Sequence, residues 1–553
     1  MKPVAIYCEN NDNFYQFDPG TTLDEALQKI DIDKSGKIVG ARVNNKIKDL
    51  SYTVYKPENI KFIDLHDPDG NRMYLRSLTF VLEKAVLDLF GKIKFKVKHS
   101  VANGLFCEVE GERFKLDSKT IESLKNKMES IVKDNIPFFR HEIQTEKAIK
   151  IFDDFGYTDK AELFRSRKNL YSSVYYLGNL PGYFYGHLVP STSYLEVFDL
   201  MAYQDGILLM YPDTSDITKV KPFVKQDKMF NIFKEHKCNA KLLNVENVAL
   251  VNKAIDNGCM KEIIKLSEAL HEKKISQIAD KIHDRKNCKL VLISGPSSSG
   301  KTTFSKRLSL QLRLLGYKPI EISLDDYFVN REFTPKDENG DYDFEDIKAI
   351  DTDLFNENLL KLMNNESVDM PRFNFSSGSR EYKGDVIVPQ EGNIFIVEGI
   401  HGLNPRLSTK IPEKNKFKIY VSALTQISVD NLNRIPTTDN RLLRRIVRDH
   451  NFRNNSALDT LKRWPSVRRG EEKNIFPYQE EADEMFNSSL LYELLVLKNA
   501  AVPLLKEIPE KEKEYAEAVR LLKFLSYFNF YDAKDIPPTS ILKEFLGGSS
   551  FSY

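Results

Sequence analysis

Residues 290–316, LVLISGPSSSGKTTFSKRLSLQLRLLG, decide the fold of the largest part of this chain. The apolar run LVLIS reads as a buried strand, the Gly/Ser segment as a loop, and the run from Thr302 as a helix with apolar residues at three- and four-residue steps. Strand, loop and helix in that order form a phosphate cradle. Gly295 and Gly300 let backbone N–H groups turn inward, and the helix aims its positive end at the anion. The expected phosphate-facing set is therefore Gly295, Pro296, Ser297, Ser298, Ser299, Gly300, Lys301, Thr302 and Thr303. Lys301 reaches the terminal phosphates and the Thr302 hydroxyl holds Mg²⁺.

Working outward, PIEISLDDYF (319–328) predicts a second buried strand with Asp325 and Asp326 at its carboxyl end, the rim that lines the ligand crevice of an open parallel sheet. A carboxylate there accepts the proton of an attacking hydroxyl or holds a metal-bound water. NIFIVEG (393–399) predicts a third strand ending in Glu398, a second carboxylate on the same rim and a candidate metal ligand. FKIYVSA (417–423) supplies a fourth. In RLLRRIVRDHNFR (441–453), Arg441, Arg444, Arg445 and Arg448 recur on one helical face, as expected of a lid that brings cations to phosphate.

The chain has 553 residues, enough for three to four folding units, and 81 basic against 80 acidic residues leave a net charge of +1. No global field favours nucleic acid or an anionic membrane, so any polyanion site must be local. The five cysteines show no metal or disulfide spacing, and no apolar run reaches the length of a membrane span. A cytoplasmic setting is expected. The N-terminal stretch alternates short strands with turns, Asn44-Asn45 among them, and Thr22 precedes a short helix pattern; residues 227–286 carry helical spacing in which His271 and His283, twelve apart, are not a metal pair. The tail GGSSFSY (547–553) reads as either flexible or docked.

Residues 289–498 resemble the uridine kinase and phosphoribulokinase branch of P-loop kinases, through GPSSSGKTT, SLDDYF, PRFNFSSGSR, IFIVEGIHGL and RRIVRDHNFR in the family's order. FDPGTTLDEAL, ARVNNKIKDLS and DLHDPDG resemble the TGS domain of threonyl-tRNA synthetases. LRSLTFVLEKAVLDLF, HSVANGLFCEVEG and YGHLVPST resemble the editing domain that follows it there. The editing chemistry is missing: no His lies between His66 and His99, Phe184 and Leu188 stand where a Cys and a His are expected, and His187 has no partner at ligand spacing.

These resemblances imply a multidomain α/β and α+β protein. Its expected units are a TGS-like β-grasp module (1–68), an editing-domain-like α+β module without its site (69–226), a helical connector (227–286), a P-loop NTPase kinase domain with a parallel sheet and flanking helices (287–500), and a C-terminal helix and tail (501–553). They imply ATP or another nucleoside triphosphate with Mg²⁺, Asp325 as base, Glu398 as metal ligand, and Arg445, Arg448 and Arg453 as phosphate-facing residues. Phe373 and Arg380 fall on the substrate side. Phe373 and Gly378 replace the Tyr and His that read a pyrimidine in uridine–cytidine kinases, and Asn455 replaces a lid Arg. The expected acceptor is a nucleoside 5′-hydroxyl, with a sugar phosphate or pantothenate-like acid as alternative. A nucleotide-binding regulator associated with RNA or tRNA is a reading of another class, which the even charge balance disfavours. Self-association is left open.

Overall fold

The computed structural model describes residues 2–33, 36–167, 169–337, 340, 342–425, 427–532 and 534–553. At the N-terminus, Val4–Cys8 pairs antiparallel with Asn13–Phe17 and parallel with Glu58–Ile63, in a five-stranded sheet completed by Gly40–Val43 and Lys46–Lys48. Alternation in VAIYC turns Val4, Ile6 and Cys8 inward, where they pack with Leu23 and Ala26 of helix Leu23–Lys29. That helix starts at Thr22, which forms a capping box with Glu25. Asn44 and Asn45, at φ 47° and 58°, make the two-residue hairpin turn their spacing suggests.

In the following segment, helix Pro68–Phe90 shares an apolar core with a four-stranded antiparallel sheet (Lys94–Val101, Gly104–Glu110, Asp199–Tyr203, Gly206–Met210) and a three-stranded one (Phe138–Gln144, Tyr171–Leu177, Leu180–Gly182). Phe184 and Leu188 are both 2% exposed in that core, and the Phe184 ring packs edge-on against Phe80 at 5.3 Å. His187 hydrogen-bonds Asp49 at 2.8 Å, tying this segment to the N-terminal sheet. Three helices follow, Asp227–Leu242, Val248–Asp256 and Met260–Asp284. The last lays Ile275, Ile278 and Ile282 on the next sheet, and its His271 is packed inside.

That sheet has five parallel strands: β1 (Leu290–Ser294), β2 (Lys318–Ser323), β3 (Asn393–Glu398), β4 (Lys416–Ser422) and β5 (Glu484–Asn487), in the order β2-β3-β1-β4-β5. Helix α1 (Lys301–Leu314) follows β1, and helix α2 (Thr437–Arg453) precedes β5. Val291 and Ile293 face one apolar cluster, Leu290 and Leu292 the other, so both faces of β1 are covered. Two expectations need correction. The strand before Asp325 is not fully buried: β2 is an edge, and its Ile322 is buried while Lys318 and Glu321 are exposed. A boundary at 500 falls inside helix Glu493–Lys506, whose apolar face continues past it. Beyond helix Tyr515–Leu525 the chain returns to the sheet, where Ile541 and Phe545 are fully buried and the tail docks.

Candidate active site

The loop after β1 is built by close approach and left-handed backbone. A Cβ on Gly295 would lie 1.9 Å from the Val421 carbonyl oxygen of β4, so only glycine lets the loop leave the sheet there. Ser298 and Gly300 adopt φ of 58° and 82°, which turns successive N–H groups toward one concavity. The hydroxyls of Ser298 and Ser299 are buried without a hydrogen-bond partner. Lys301 folds over the loop and donates to the Gly295 carbonyl at 2.9 Å.

The register of the sheet brings the predicted carboxylates to this loop. Glu398, the last residue of β3, stands opposite Ile293 of β1 and Ser323 of β2, two residues before Asp325. The Thr302 hydroxyl donates to Glu398 Oε1 at 3.3 Å. Burial pushes the Glu398 carboxyl up to about 7, against the pull of Lys301. Asp325 opens on the cleft, yet crowding by the cleft walls raises its carboxyl above the ordinary value in spite of Lys301 and Arg453. The same desolvation lowers Lys301, with Glu398 and Asp325 pulling it back. Asp326 is spent on structure: it accepts from Arg372 at 2.9 Å and from the Phe373 N–H at 3.3 Å.

The oxygen donors of Thr302 and Glu398 suit a hard dication such as Mg²⁺, which keeps much of its water and needs few protein ligands. No cluster of three or more His, Cys, Asp or Glu poised for a metal occurs among the described residues.

The four arginines of α2 do not act together. Arg441 and Arg444 are 1% and 0% exposed and form ion pairs with Glu471 and Glu493. Arg441 also donates to the Ser297 carbonyl at 3.0 Å. These two brace the loop from behind and are not available to a ligand, which corrects the reading of the whole face as cationic. Arg445 donates to the Ser297 hydroxyl at 2.8 Å and to Asp449 at 3.2 Å. Half-exposed Arg453 shares Asp449, also at 3.2 Å. Arg448 is lowered to about 10, by burial first and Arg453 second.

Hairpin Val368–Asn374/Ser379–Ile387 sets Phe373, buried in the core beside β2, against Phe328 and Phe375 at ring separations of 5.5 and 5.2 Å. Gly378, at φ 70°, forms its turn, where a Cβ would meet Arg331 at 2.7 Å. Arg380 donates to Asp351 at 3.0 Å and to the Phe328 carbonyl at 3.1 Å, so it holds the hairpin to the segment after Asp325. Two of its guanidinium nitrogens are engaged there, and its Nε is buried without a hydrogen-bond partner.

Two carboxylates escaped the sequence reading. Glu345 lies within electrostatic reach of Lys301, Arg445 and Asp325, and burial pushes it up to about 7. Glu544 accepts from the Thr303 N–H at 3.3 Å and its hydroxyl at 2.7 Å, and approaches Arg448 at 3.6 Å. Tyr553 in the tail also reaches the Thr303 hydroxyl, at 2.8 Å. Neither carboxylate belongs to a recognisable motif; both arrive from distant segments.

Residues 290–490 match the model of the Phosphoribulokinase / Uridine kinase family. The matched span contains every strand of the parallel sheet, the phosphate loop, Asp325, Glu398 and all of α2. A solved structure from Bacillus stearothermophilus, described as a "Possible Uridine Kinase", is similar at 17% identity over 36% of this chain and 89% of that one, with a TM-score of 0.24. The N-terminal part is similar to threonine–tRNA ligases. That of Thermotoga neapolitana is 26% identical over 223 residues, 40% of this chain and 34% of the relative. That of Clostridium kluyveri is 25% identical over 188 residues, 34% of this chain and 29% of the relative. The chain thus spans about a third of the length of these curated relatives. No helix among the described residues is long and apolar enough to cross a membrane.

Proposed function

We propose that this chain is a Mg²⁺-dependent kinase that moves the γ-phosphoryl group of ATP, or another nucleoside triphosphate, to a hydroxyl of a small molecule, with a nucleoside 5′-hydroxyl as first candidate. The observation that carries this reading is the convergence of Lys301, Asp325 and Glu398 at the carboxyl ends of three neighbouring parallel strands. In this scheme the loop amides and Lys301 bind the phosphates, while Thr302 and Glu398 hold the metal, which neutralises charge on the phosphate oxygens. Asp325 orients the acceptor hydroxyl and takes its proton. Arg445 and Arg448 offset charge on the transferred group, and α2 with the docked tail excludes water. Five free cysteines suit a reducing, cytoplasmic setting.

Exposed Phe375, backed by the buried rings of Phe328 and Phe373, favours an acceptor with a flat or apolar portion held by stacking. It also supports a pantothenate-like or sugar-phosphate acceptor as second reading, because Phe373 offers no hydrogen bond to discriminate a base. The test is a screen of the full chain with Mg·ATP against nucleosides, then sugar phosphates and pantothenate-like acids, following ADP release and product mass. Acceptor-dependent ADP release with a phosphorylated product is expected. ATP binding without transfer to any acceptor, together with steeply salt-dependent tRNA binding, would favour the regulator instead.

A further inference from the structure

The N-terminal half and helix Tyr515–Leu525 meet at a group of cations without ion-pair partners among the described residues. Arg72 and Arg520, on the two helices that meet there, show how this protein ordinarily neutralises a guanidinium: they are paired with Asp69, Glu517 and Asp439 at 2.5 to 3.0 Å. Arg76, Arg140, Arg167 and Lys523 are different. Among the described residues none of the four has a carboxylate within ion-pair distance. Arg76 lies over the Tyr185 ring at 5.2 Å, and Arg167 over the Tyr527 ring at 4.5 Å, with those two rings 6.5 Å apart. Arg167 also donates to the Tyr183 hydroxyl at 3.3 Å. Arg140, directly opposite Tyr175 in the strand register, donates twice to the Ser173 hydroxyl, at 2.8 and 3.2 Å, and the Tyr175 hydroxyl donates to the Gly186 carbonyl at 3.3 Å. A Cβ on Gly186 would stand 2.2 Å from Arg76, so glycine is what admits that guanidinium.

The cations feel one another. Crowding first, then Arg140, Arg76 and Arg167, lower the Lys523 ammonium to about 8, with Glu142 the carboxylate opposing them. Asp49, the other nearby carboxylate, is engaged by His187. Holding four like charges around buried tyrosines is unfavourable, and Glu142 and Asp49 offset it without forming an ion pair with any of the four. Arg140 and Lys523 are exposed, so the cluster is open to solvent. An anion arriving from outside would relieve the repulsion.

We infer that the cleft between Arg76, Arg140, Arg167 and Lys523 binds the phosphate of a small phosphorylated molecule. Three forked guanidiniums suit a tetrahedral oxyanion with several acceptors. The site is separate from the kinase cleft and does not depend on the function proposed for it.

The test uses the full chain in three forms: unaltered, Arg140→Gln/Lys523→Gln, and Lys301→Ala, the last to weaken phosphate binding at the β1 loop. Inorganic phosphate, uridine monophosphate and a short single-stranded RNA serve as calorimetric probes. Acylation of Lys523, followed by peptide mass spectrometry, reports the cluster directly. Phosphate or the monophosphate should bind the Lys301→Ala form and shield Lys523 from acylation, and the paired substitution should weaken that binding by about tenfold or more. Unchanged affinity in the paired variant, or unshielded Lys523 at saturating phosphate, would overturn the site. Shielding by RNA alone would overturn its assignment to a small molecule. The substituted side chains are exposed, and matching circular dichroism of the variants would establish that folding is intact.

Discussion

Two arginines one turn apart on α2 should respond to the same substitution with opposite signs. Arg444 is fully buried; it pairs with Glu493 and donates to the Ser488 carbonyl at 2.8 Å and hydroxyl at 3.1 Å. Arg444→Met leaves Glu493, 1% exposed, without its charge partner, an uncompensated buried charge that costs about 3–5 kcal/mol. Replacing both partners, as in Arg444→Met/Glu493→Leu, should recover most of that loss, because the desolvated charge goes too. Arg448 has no such partner beyond Glu544 at 3.6 Å, and its Nε is buried without a hydrogen bond. Burial lowers its pKa to about 10. A depressed base is penalised in the folded state wherever both states are charged, that is at any pH well below 10, and the penalty fades as pH rises through that value. The full displacement corresponds to about 3 kcal/mol at about 1.4 kcal/mol per unit, and loss of the Glu544 contact reduces the gain. Arg448→Met should therefore leave stability unchanged or raise it by up to about 2 kcal/mol, while transfer falls by about a hundredfold or more. Urea unfolding at pH 7.5, followed by the single tryptophan, Trp464, whose ring lies 5.5 Å from Arg441, measures both stabilities, and ADP release measures transfer. Equal destabilisation by the two substitutions, or full turnover in Arg448→Met, would refute the division of labour on this helix.

Three further outcomes are expected. Asp325→Asn should lower turnover by about 10²–10⁴ while ATP affinity holds, since Asp325 faces the cleft and donates nothing to the loop; turnover within threefold or so of the unaltered chain removes it from the mechanism. Glu544→Gln removes a negative charge that takes the Thr303 donors and approaches Arg448, so ATP should bind about tenfold more tightly by calorimetry; unchanged or weaker binding would make the tail a brace and not a competitor. Glu83, 3% exposed, is pushed by burial from 4.5 up to about 7, so the folded state holds a proton that the unfolded state releases between those values, and stability drains away as pH rises through that window. Glu83→Gln should then stabilise the chain by about 3 kcal/mol at pH 8 and by under about 1 kcal/mol at pH 5; an equal gain at both would show that the effect is packing and not charge.

The phosphate loop was readable because its demands are local and consecutive: Gly295 must clear Val421, Gly300 must turn left-handed, and Lys301 and Thr302 follow at once. Asp325 and Glu398 were readable because apolar strands end at them and a parallel sheet brings such ends together. The arginines were not, because helical spacing gives all four one face, while their fate depends on carboxylates far along the chain. Glu471 reaches Arg441 from 30 residues away and Glu493 reaches Arg444 from 49, and both pairs are sealed in the core. Glu345 and Glu544 were invisible for the same reason, since only the fold carries them to Lys301 and Thr303. Periodicity says which side of a helix is polar; desolvation decides what a polar group can do. An arginine enclosed with its own carboxylate is part of the scaffold. One enclosed with only a longer contact, such as Arg448 with Glu544 at 3.6 Å, keeps more of its field for whatever anion enters. Arg76, Arg140 and Arg167, which form no ion pair among the described residues, mark a second place where this chain, near neutral overall, concentrates positive charge.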